Sequence, residues 1–296
     1  MPCRTEIEGS WQVRAKLNLG LSVGPPDGTG YHPVTSLLVA IDVADVLHVA
    51  RRPGPTTWRV SWAGGAPSSD LGPVAANLAH RAWELAGAPE GYAFHLIKHL
   101  PAGGGLGAGS ADAAAILRLL ASDLDWPVDH APALARHLGA DVAFFLSDGP
   151  AWATGRGEVL EALSPGPELH GVLACGTARV ATAAAYRWLD AVHGREPADL
   201  GALRAAWQDG DAEGVLASLA NDFTATVLAR MPELAATPEA LRAAGARRPL
   251  LAGSGASWAG WVRDPEEAQW VAGRMAEFPG WVRPFRTVPD PLQRMT

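Results

Sequence analysis

The chain has 296 residues, of which 48% are hydrophobic and 19% charged, with a formal net charge of −7; this length suits one large domain or two of ordinary size. The acidic balance argues against a nucleic-acid-binding protein, and two cysteines, Cys3 and Cys175, are too few for a disulfide framework or a zinc site. No apolar run approaches about 18 residues and the first ten residues lack a secretory pattern, so the sequence predicts a cytoplasmic protein without a membrane partner.

The first half of the chain is predicted to be rich in strands. Apolar and polar residues alternate strictly over residues 11–23, which is typical of a strand with one buried face. Further strands are predicted over residues 34–42, 45–50, 57–64 and 92–101, with one more strand and a turn in 149–163. Helices are predicted over residues 73–87, 109–121 and 130–138.

The order of elements changes from about residue 168. A strand is followed by several helices, two short strands, a helix and a last strand. The order strand–helix–strand–strand–helix–strand is typical of a ferredoxin-like domain, here with extra helices. We therefore expect an α+β protein of two closely packed halves, residues 1–165 and 166–296, with a ligand cleft between them.

A glycine-rich run lies between a predicted strand and a predicted helix, and five of the seven residues in 103–109 are glycine. Three interpretations are open. The glycines could serve close packing of helix on strand. They could form a dinucleotide-binding turn, since Gly103, Gly105 and Ala108 satisfy G-x-G-x-x-G/A. They could also form a phosphate cradle, in which backbone N–H groups and the positive end of the following helix hold an anion.

Two features count against the dinucleotide interpretation. Pro101 interrupts the passage from strand to first glycine, and no acidic residue ends a hydrophobic strand some 20 residues further on. The P-loop pattern G-x-x-x-x-G-K-[ST] is absent as well, because no lysine follows the glycines. Ser110 would stand at the start of the helix, where it could cap the helix or meet a phosphate or its metal ion.

The run PAGGGLGAGS (101–110) resembles the phosphate loop of the small-molecule kinases related to galactokinase, homoserine kinase and mevalonate kinase. Two more motifs of that superfamily are present, AKLNLGL (15–21) before this run and LLAGSGAS (250–257) after it, which is the order that the superfamily requires. The stretches DGTGYH (27–32), GADVAFFLSDGPAWATGRGE (139–158) and VATAAAYRWLD (180–190) are similar to the 4-diphosphocytidyl-2-C-methylerythritol kinase family of the non-mevalonate isoprenoid pathway.

This resemblance covers nearly the whole chain and carries expectations about fold and activity. It implies an N-terminal domain of the ribosomal protein S5 domain 2-like fold and a ferredoxin-like C-terminal domain. It implies transfer of the ATP γ-phosphoryl group, with Mg²⁺, to a hindered hydroxyl of a cytidine-diphosphate sugar alcohol. In such a transfer, positioning and charge neutralisation supply most of the catalysis, and a carboxylate accepts or orients the hydroxyl proton. The enzyme is expected to be a monomer or weak homodimer.

The resemblance also assigns roles to single residues. Lys16 and Asp141 match the catalytic pair, and Lys16 is one of only two lysines among 24 basic residues. A compact ammonium there suits an ion pair that a guanidinium would fit poorly. The residues matched to ATP binding are Asn77, Lys98, Pro101, Gly103, Gly104, Gly105, Leu106, Gly107, Gly109 and Ser110. The residues matched to substrate binding are Asn18, Tyr31, His32, Asp141, Thr182, Tyr186, Gly253, Ser254 and Gly255, with Tyr31 and Tyr186 expected on either face of the cytosine ring.

Each of these residues also has an ordinary structural interpretation. Asp141 could stand in a helix-to-strand turn, Lys98 on the surface, Tyr186 in the core and Asn77 on a helix surface. Departures from the family pattern stand at Arg14, Ala108, Ala111 and Ser254. Three other functions remain open: a homoserine or mevalonate kinase-like enzyme, a nicotinamide-dependent oxidoreductase, and a non-catalytic nucleotide-binding module.

Overall fold

The computed structural model describes residues 8–63 and 72–295, in which helices pack on a single connected β-sheet of mixed order. Cys3 lies outside these residues. The strands are β1 (Gly9–Val23), β2 (Val34–Arg51), β3 (Thr57–Trp62), β4 (Tyr92–Lys98), β5 (Ala151–Thr154), β6 (Val159–Ala162), β7 (His170–Cys175), β8 (Ala220–Asn221), β9 (Arg247–Leu251), β10 (Trp258–Val262), β11 (Trp281–Val288) and β12 (Leu292–Arg294). The helices are α1 (Leu78–Leu85), α2 (Ala108–Asp123), α3 (His130–Ala135), α4 (Ala140–Phe145), α5 (Thr182–Asp190), α6 (Gly201–Gln208), α7 (Ala212–Ala217), α8 (Phe223–Arg230), α9 (Ala236–Ala244) and α10 (Pro265–Arg274). The α+β class is confirmed.

Strand β1 is buried on both faces, so the prediction of a half-buried strand is wrong. Its apolar residues, such as Leu17 and Leu19, are fully buried in a core that extends into the second half. Its polar residues Lys16 and Asn18 are also buried, at 4% and 5% exposure. The alternating pattern correctly separates two faces, but the polar face lines a cavity instead of open solvent.

Strand β2 is one continuous strand of 18 residues, where two strands over 34–42 and 45–50 were predicted. Its pairing with β1 shifts register between the pairs Arg14–Ala44 and Lys16–Ala40. The predicted break therefore coincides with a bulge within one strand. The bulge leads into Asp45, whose side chain is fully buried.

The strands of the second half lie in the order β9–β10–β7–β11, and all neighbours are antiparallel. Strand β11 continues onto β2 through the pairs Thr287–Ile41 and Val288–Ala40, which joins the two halves into one sheet. The chain then returns to the first half, where β12 pairs with β1. These pairings hold the two halves against each other across the cavity.

Helix α2 is the central helix of the first half, and nine of its residues are buried in the main core or against it. Helix α4 begins directly after Gly139, so Asp141 stands in the first turn of a helix. The alternative of a helix-to-strand turn at Asp141 is therefore wrong. Within residues 8–63 and 72–295, no helix combines the length and the apolar character that crossing a bilayer requires.

Candidate active site

A cavity of about 620 Å³ opens between the two halves. Its lining includes the polar face of β1, the glycine loop (residues 101–107) before α2, the first turn of α4, residues of α5, the start of α8, and the turn between β9 and β10. The three motifs that lie far apart in the sequence therefore meet around one space. Every residue matched to ATP binding lines it.

One glycine of the loop is required by a close approach of backbone to backbone. At Gly105 the φ angle is +77°, and an added Cβ would overlap the carbonyl oxygen of Ala252. The same contact is tied by a hydrogen bond from Ser257 N to Gly104 O at 3.2 Å. Gly105 therefore allows close packing, but of the loop on the β9–β10 turn and not of helix on strand as that interpretation had it.

Other glycines of the run face open space. An added Cβ at Gly103 or at Gly109 would meet no protein atom within 4 Å. Helix α2 begins beside them, its N-cap is Gly107, and no side chain caps its first turn. The uncapped N–H groups at the start of a 16-residue helix leave its positive end directed at the cavity, an arrangement suited to an anion. Ser110 is the third residue of the helix and lines the cavity, so it does not act as the helix cap.

The two residues matched to catalysis lie together at the cavity wall. Lys16 Nζ is 3.4 Å from Asp141 Oδ2, and the lysine side chain is 5% exposed whereas the aspartate side chain is 42% exposed. Lys16 Nζ also donates to Asn18 Oδ1 at 2.6 Å, and Asn18 Nδ2 donates to Ser36 Oγ at 2.7 Å. Ser36 in turn donates to Gly20 O at 2.6 Å. This chain of bonds fixes the direction of the ammonium towards Asp141.

Lys98 is buried and is not a surface residue. Its ammonium contacts the carboxylates of Asp45 on β2 and Asp112 on α2, and all three residues are at most 5% exposed. Asp45 Oδ1 also accepts the backbone N–H groups of His99 at 2.6 Å and Leu100 at 3.0 Å. These contacts tie together the two ends of the glycine loop, since Lys98 precedes the loop and Asp112 follows it.

The protonation of this buried cluster is set by burial and by its unequal hydrogen bonds. Burial opposes the charge on Lys98, but Asp112 and Asp45 together raise the pKa of its ammonium. Burial raises the pKa of Asp112 to about 7 against the opposing influence of Lys98. Asp112 Oδ1 has no hydrogen-bond partner, whereas Asp45 has two backbone donors. Asp112 is therefore the carboxyl that takes up a proton most easily.

Asn77 caps helix α1 and also lines the cavity. Its Oδ1 accepts from Ala79 N at 2.9 Å, so the side chain is fixed at the cavity edge and is not a free helix-surface amide. Trp62 at the end of β3 and Leu78 line the same end of the cavity, beside Lys98. Trp62 and Leu78 give this end apolar lining, which is the kind of surface that a nucleotide base packs against.

The turn between β9 and β10 brings two more matched residues to the cavity. Gly253 and Ser254 line it, and Ser254 Oγ lies 3.0 Å from Thr182 Oγ1 at the start of α5. An added Cβ at Gly255 would lie 3.2 Å from Leu251 and 3.4 Å from Val180, because this glycine faces the core behind the turn. Gly255 therefore supports the turn and does not line the cavity.

The aromatic residues matched to the cytosine ring occupy different positions. Tyr186 lines the cavity, packs edge-on against Phe223 at 4.9 Å, and has its pKa raised by burial and then by Asp141. His32 lies 5.0 Å from the Tyr186 ring, and its ring nitrogens contact Gly24 O at 2.8 Å and Asp190 Oδ1 at 3.1 Å.

Tyr31 is 55% exposed at the cavity mouth, and the Arg156 guanidinium lies 3.7 Å from its ring centroid. Tyr186 and His32 therefore form one aromatic pair, the aromatic wall, of which Tyr186 lines the cavity and His32 supports it. The ring of Tyr31 is covered by a cation instead of a second aromatic residue.

The structure adds residues that the motifs did not indicate: Ser36, Asp45, Asp112 and Arg156. Ser36 and Asp45 come from β2, which carries no motif, so nothing in the sequence marked them. Arg156 lies inside the recognised stretch 139–158 and Asp112 two residues after the run 101–110, and their contacts depend on the packing of elements distant in sequence. Among the departures, Ala111 is 2% exposed and faces the core.

Arg14, another departure, lies away from the cavity. Its guanidinium donates to Asp290 O at 2.8 Å and to Gln293 on the segment that carries β12. Burial lowers the pKa of Arg14. Arg14 therefore fastens the C-terminal strand and does not line the cavity.

In the part of the chain that the structure describes, no three His, Cys, Asp or Glu side chains are grouped so as to hold a metal ion. The polar atoms near the glycine loop fit a cation that arrives with a phosphate ligand and keeps most of its waters, which is the usual behaviour of Mg²⁺.

Comparisons with known proteins agree with this geometry. Residues 74–149 match the family model described as GHMP kinases N terminal domain. A 4-diphosphocytidyl-2-C-methyl-D-erythritol kinase of Deinococcus radiodurans is 43% identical over 278 residues, which cover 90% of this chain and 89% of the relative.

Two solved structures extend the comparison to the fold. A crystal structure of 4-(cytidine 5'-diphospho)-2C-methyl-D-erythritol kinase superposes with a TM-score of 0.78 at 32% identity, over 94% of this chain and 98% of that one. A homoserine kinase from Cytophaga hutchinsonii superposes with a TM-score of 0.68 at 16% identity, over 100% of this chain and 99% of that one, which shows a shared fold alone. With identity of this degree over nine-tenths of its length, the chain belongs to the 4-diphosphocytidyl-2-C-methyl-D-erythritol kinase family.

Proposed function

We propose that this protein transfers the γ-phosphoryl group of ATP to the 2-hydroxyl of 4-(cytidine 5'-diphospho)-2-C-methyl-D-erythritol, a step of the non-mevalonate isoprenoid pathway. The observation that carries the proposal is the 3.4 Å pair of Lys16 and Asp141, which lies in the cavity lined by the glycine loop. An anion-binding helix end, an ammonium and an exposed carboxylate in one space are the parts that phosphoryl transfer to an alcohol needs.

The chemistry assigned to these residues follows from their surroundings. Asp141 is 42% exposed on the cavity side, so an acceptor hydroxyl has access to its carboxylate. In this proposal Asp141 accepts or orients the hydroxyl proton. Lys16, held by Asn18, neutralises charge on the moving phosphoryl group and keeps Asp141 in place. Both groups act by position, which is the main source of rate in this reaction.

The two ligands are assigned to opposite parts of the cavity. The ATP phosphates bind to backbone N–H groups of the glycine loop and the start of α2, and the adenine base lies near Asn77 and Lys98. The cytosine base lies beside Tyr186 and His32 in the other part. Gly253, Ser254 and Thr182 lie near the transferred group. When bound, Mg²⁺ supplies charge neutralisation on the phosphates, and Ser110 is the residue of this chain assigned to contact it.

The domain division into 1–165 and 166–296 belongs to this proposal, with a ribosomal protein S5 domain 2-like first half and a ferredoxin-like second half. The second half is supported by its strand order. Its four strands follow one another along the chain as β7, β9, β10 and β11. In the sheet, β7 lies in the interior, with β11 on one side of it and β10 on the other, and β9 lies beyond β10. This is the arrangement that a ferredoxin-like order of elements produces.

The direct test is an assay of ATP-dependent phosphorylation with the cytidine-diphosphate substrate, compared with homoserine and mevalonate at equal concentrations. The proposal expects turnover with the cytidyl substrate alone, and inhibition of that turnover by cytidine diphosphate. If the enzyme phosphorylates homoserine or mevalonate but not the cytidyl substrate, the acceptor is another small alcohol and the proposed acceptor is wrong. Stabilisation of the protein by NAD and not by ATP would contradict a kinase function altogether.

A further inference from the structure

The acceptor assigned above carries a diphosphate, and the cavity offers few positive groups to hold it. Among its described lining residues the cationic side chains are Lys16, Lys98 and Arg156. Lys98 is neutralised by two buried carboxylates, and Lys16 is engaged with Asp141. A negatively charged ligand therefore needs a further cation, and Arg156 is the lining residue that is neither buried nor bound to a catalytic group.

The contacts of Arg156 leave its charge largely available. Its side chain is 48% exposed, its Nη2 donates to Thr29 Oγ1 at 3.0 Å, and it lies 3.9 Å from Asp27 Oδ2. Asp27 is itself half exposed, and its Oδ1 accepts from Thr29 and Tyr31 within its own turn. An ion pair at that distance between two solvated groups is weak. The backbone of Arg156 is held more firmly, by its N–H to Glu158 Oε2 at 2.6 Å.

The place of Arg156 fits a diphosphate between base and alcohol. On one side its guanidinium lies over Tyr31, next to His32 of the aromatic wall. On the other side the neighbouring Gly157 packs towards Ala140, which immediately precedes Asp141. The turn that carries Arg156 is fixed to β2 by Val34 N donating to Gly155 O at 2.7 Å. Arg156 thus belongs to a turn that contacts both Tyr31, next to the proposed base site, and the start of α4, which carries the proposed catalytic carboxylate.

We propose that Arg156 binds the diphosphate of the cytidyl substrate and so determines the preference of this site for a nucleoside diphosphate over a nucleoside. The inference rests on the proposed function. A guanidinium presents several N–H donors in one plane, which matches phosphate oxygens in two-point hydrogen bonds. The Tyr31 ring beneath it keeps the side chain near the cavity mouth before substrate binds.

The test compares Arg156→Ala and Arg156→Lys with the wild type. Steady-state KM is measured separately for the cytidyl substrate and for ATP, and binding of cytidine diphosphate and of cytidine is measured by calorimetry. The matched control is Arg274→Ala, because Arg274 also covers an aromatic ring, Trp270 at 4.8 Å, but lies on α10 away from the cavity. Thermal unfolding of each variant establishes that it is folded.

We expect Arg156→Ala to raise the KM for the cytidyl substrate by about 10- to 100-fold, the usual effect of losing a hydrogen bond to a charged group. The KM for ATP should change less than about twofold. The wild-type preference for cytidine diphosphate over cytidine should largely disappear, Arg156→Lys should restore part of it, and Arg274→Ala should behave as the wild type.

Three outcomes would overturn the inference. One is an unchanged KM for the cytidyl substrate, and another is a raised KM for ATP alone. The third is an equal loss of affinity for cytidine and cytidine diphosphate, which would make Arg156 a support for the base site. Failure of the proposed function is distinguishable, because a wild type that does not phosphorylate the cytidyl substrate fails before any variant is compared.

Discussion

The ammonium of Lys16 on β1 lies 3.4 Å from the carboxylate of Asp141 in the first turn of α4. Lys16 is the second residue of the AKLN motif. The lysine is buried and the aspartate is open to the cavity. This asymmetry makes the lysine a fixed charge and the aspartate the group that meets a ligand. Four substitutions test how the catalytic pair and its supporting residues work.

Asp141→Asn should leave ATP binding nearly intact and lower turnover by about 10²-fold or more, the upper range for loss of an acid–base group. The amide keeps the shape of the side chain but cannot accept the hydroxyl proton. Single-turnover kinetics and ATP titration by calorimetry measure the two effects separately. Turnover equal to the wild type would show that Asp141 has been assigned the wrong role.

Lys16→Arg should be poorly active although it keeps the positive charge. The ammonium occupies a site that is 5% exposed and accepts only a compact group directed by Asn18 at 2.6 Å. Arg156→Lys is the reverse exchange at a half-exposed position, and there the loss of kcat should be smaller. Measuring kcat for the two variants tests this expectation. Equal losses of kcat would mean that the Lys16 site does not require a compact cation.

Gly105→Ala should destabilise the protein by roughly 2 kcal/mol or more, since the residue combines a positive φ with an overlap of the new Cβ on Ala252 O. The matched control is Gly149→Ala, where the Cβ would enter open space. Urea unfolding of the two variants gives the difference in the free energy of unfolding. Similar stabilities would mean that the glycine loop can move away from the β9–β10 turn at little cost.

Asp112→Asn should change how stability depends on pH. Burial raises the pKa of Asp112 to about 7, so the folded protein holds that proton more tightly than the unfolded chain, whose ordinary value is 3.8. The contribution of this carboxyl to the free energy of unfolding is therefore greatest below about pH 4 and declines as the pH rises towards 7. The variant lacks this decline and should gain stability relative to the wild type over that range.

Unfolding at several pH values between 4 and 8 measures this difference. Asp148→Asn is the control, because the Asp148 side chain is 85% exposed and pairs with Arg118 at the surface. A difference between Asp112→Asn and the wild type that is the same at every pH would mean that Asp112 does not titrate within the cluster.

Much of this molecule is readable from local patterns. The strand–loop–helix around residues 92–123, the order of elements in the second half and the three motif segments were all predicted near their observed positions. Periodicity and glycine content depend on the conformation of the segment itself, so they predict local structure without tertiary information. The motifs also indicated the family, which the comparisons confirmed.

The errors have a common cause. The break predicted inside β2 is a bulge in its pairing with β1, a strand distant enough in sequence that the segment alone does not show it. The polar face of β1 is buried because it lines a cavity that the glycine loop also lines. The sequence alone does not decide whether Lys98 lies at the surface or in the site, because its partners, Asp45 and Asp112, come from other elements. Burial and partnership depend on what packs against a residue, and a single segment carries no record of that.

The sequence by itself therefore determined the elements, the glycine loop and the kinase family of this protein, since these follow from short-range pattern and from motifs in a set order. The tertiary structure alone decided that Gly105 meets the backbone of Ala252, that Lys98 joins the two ends of the glycine loop, and that Arg156 lies over the ring of Tyr31. Each of these is a contact between segments distant along the chain, and only the folding of the two halves into one sheet brings such segments together.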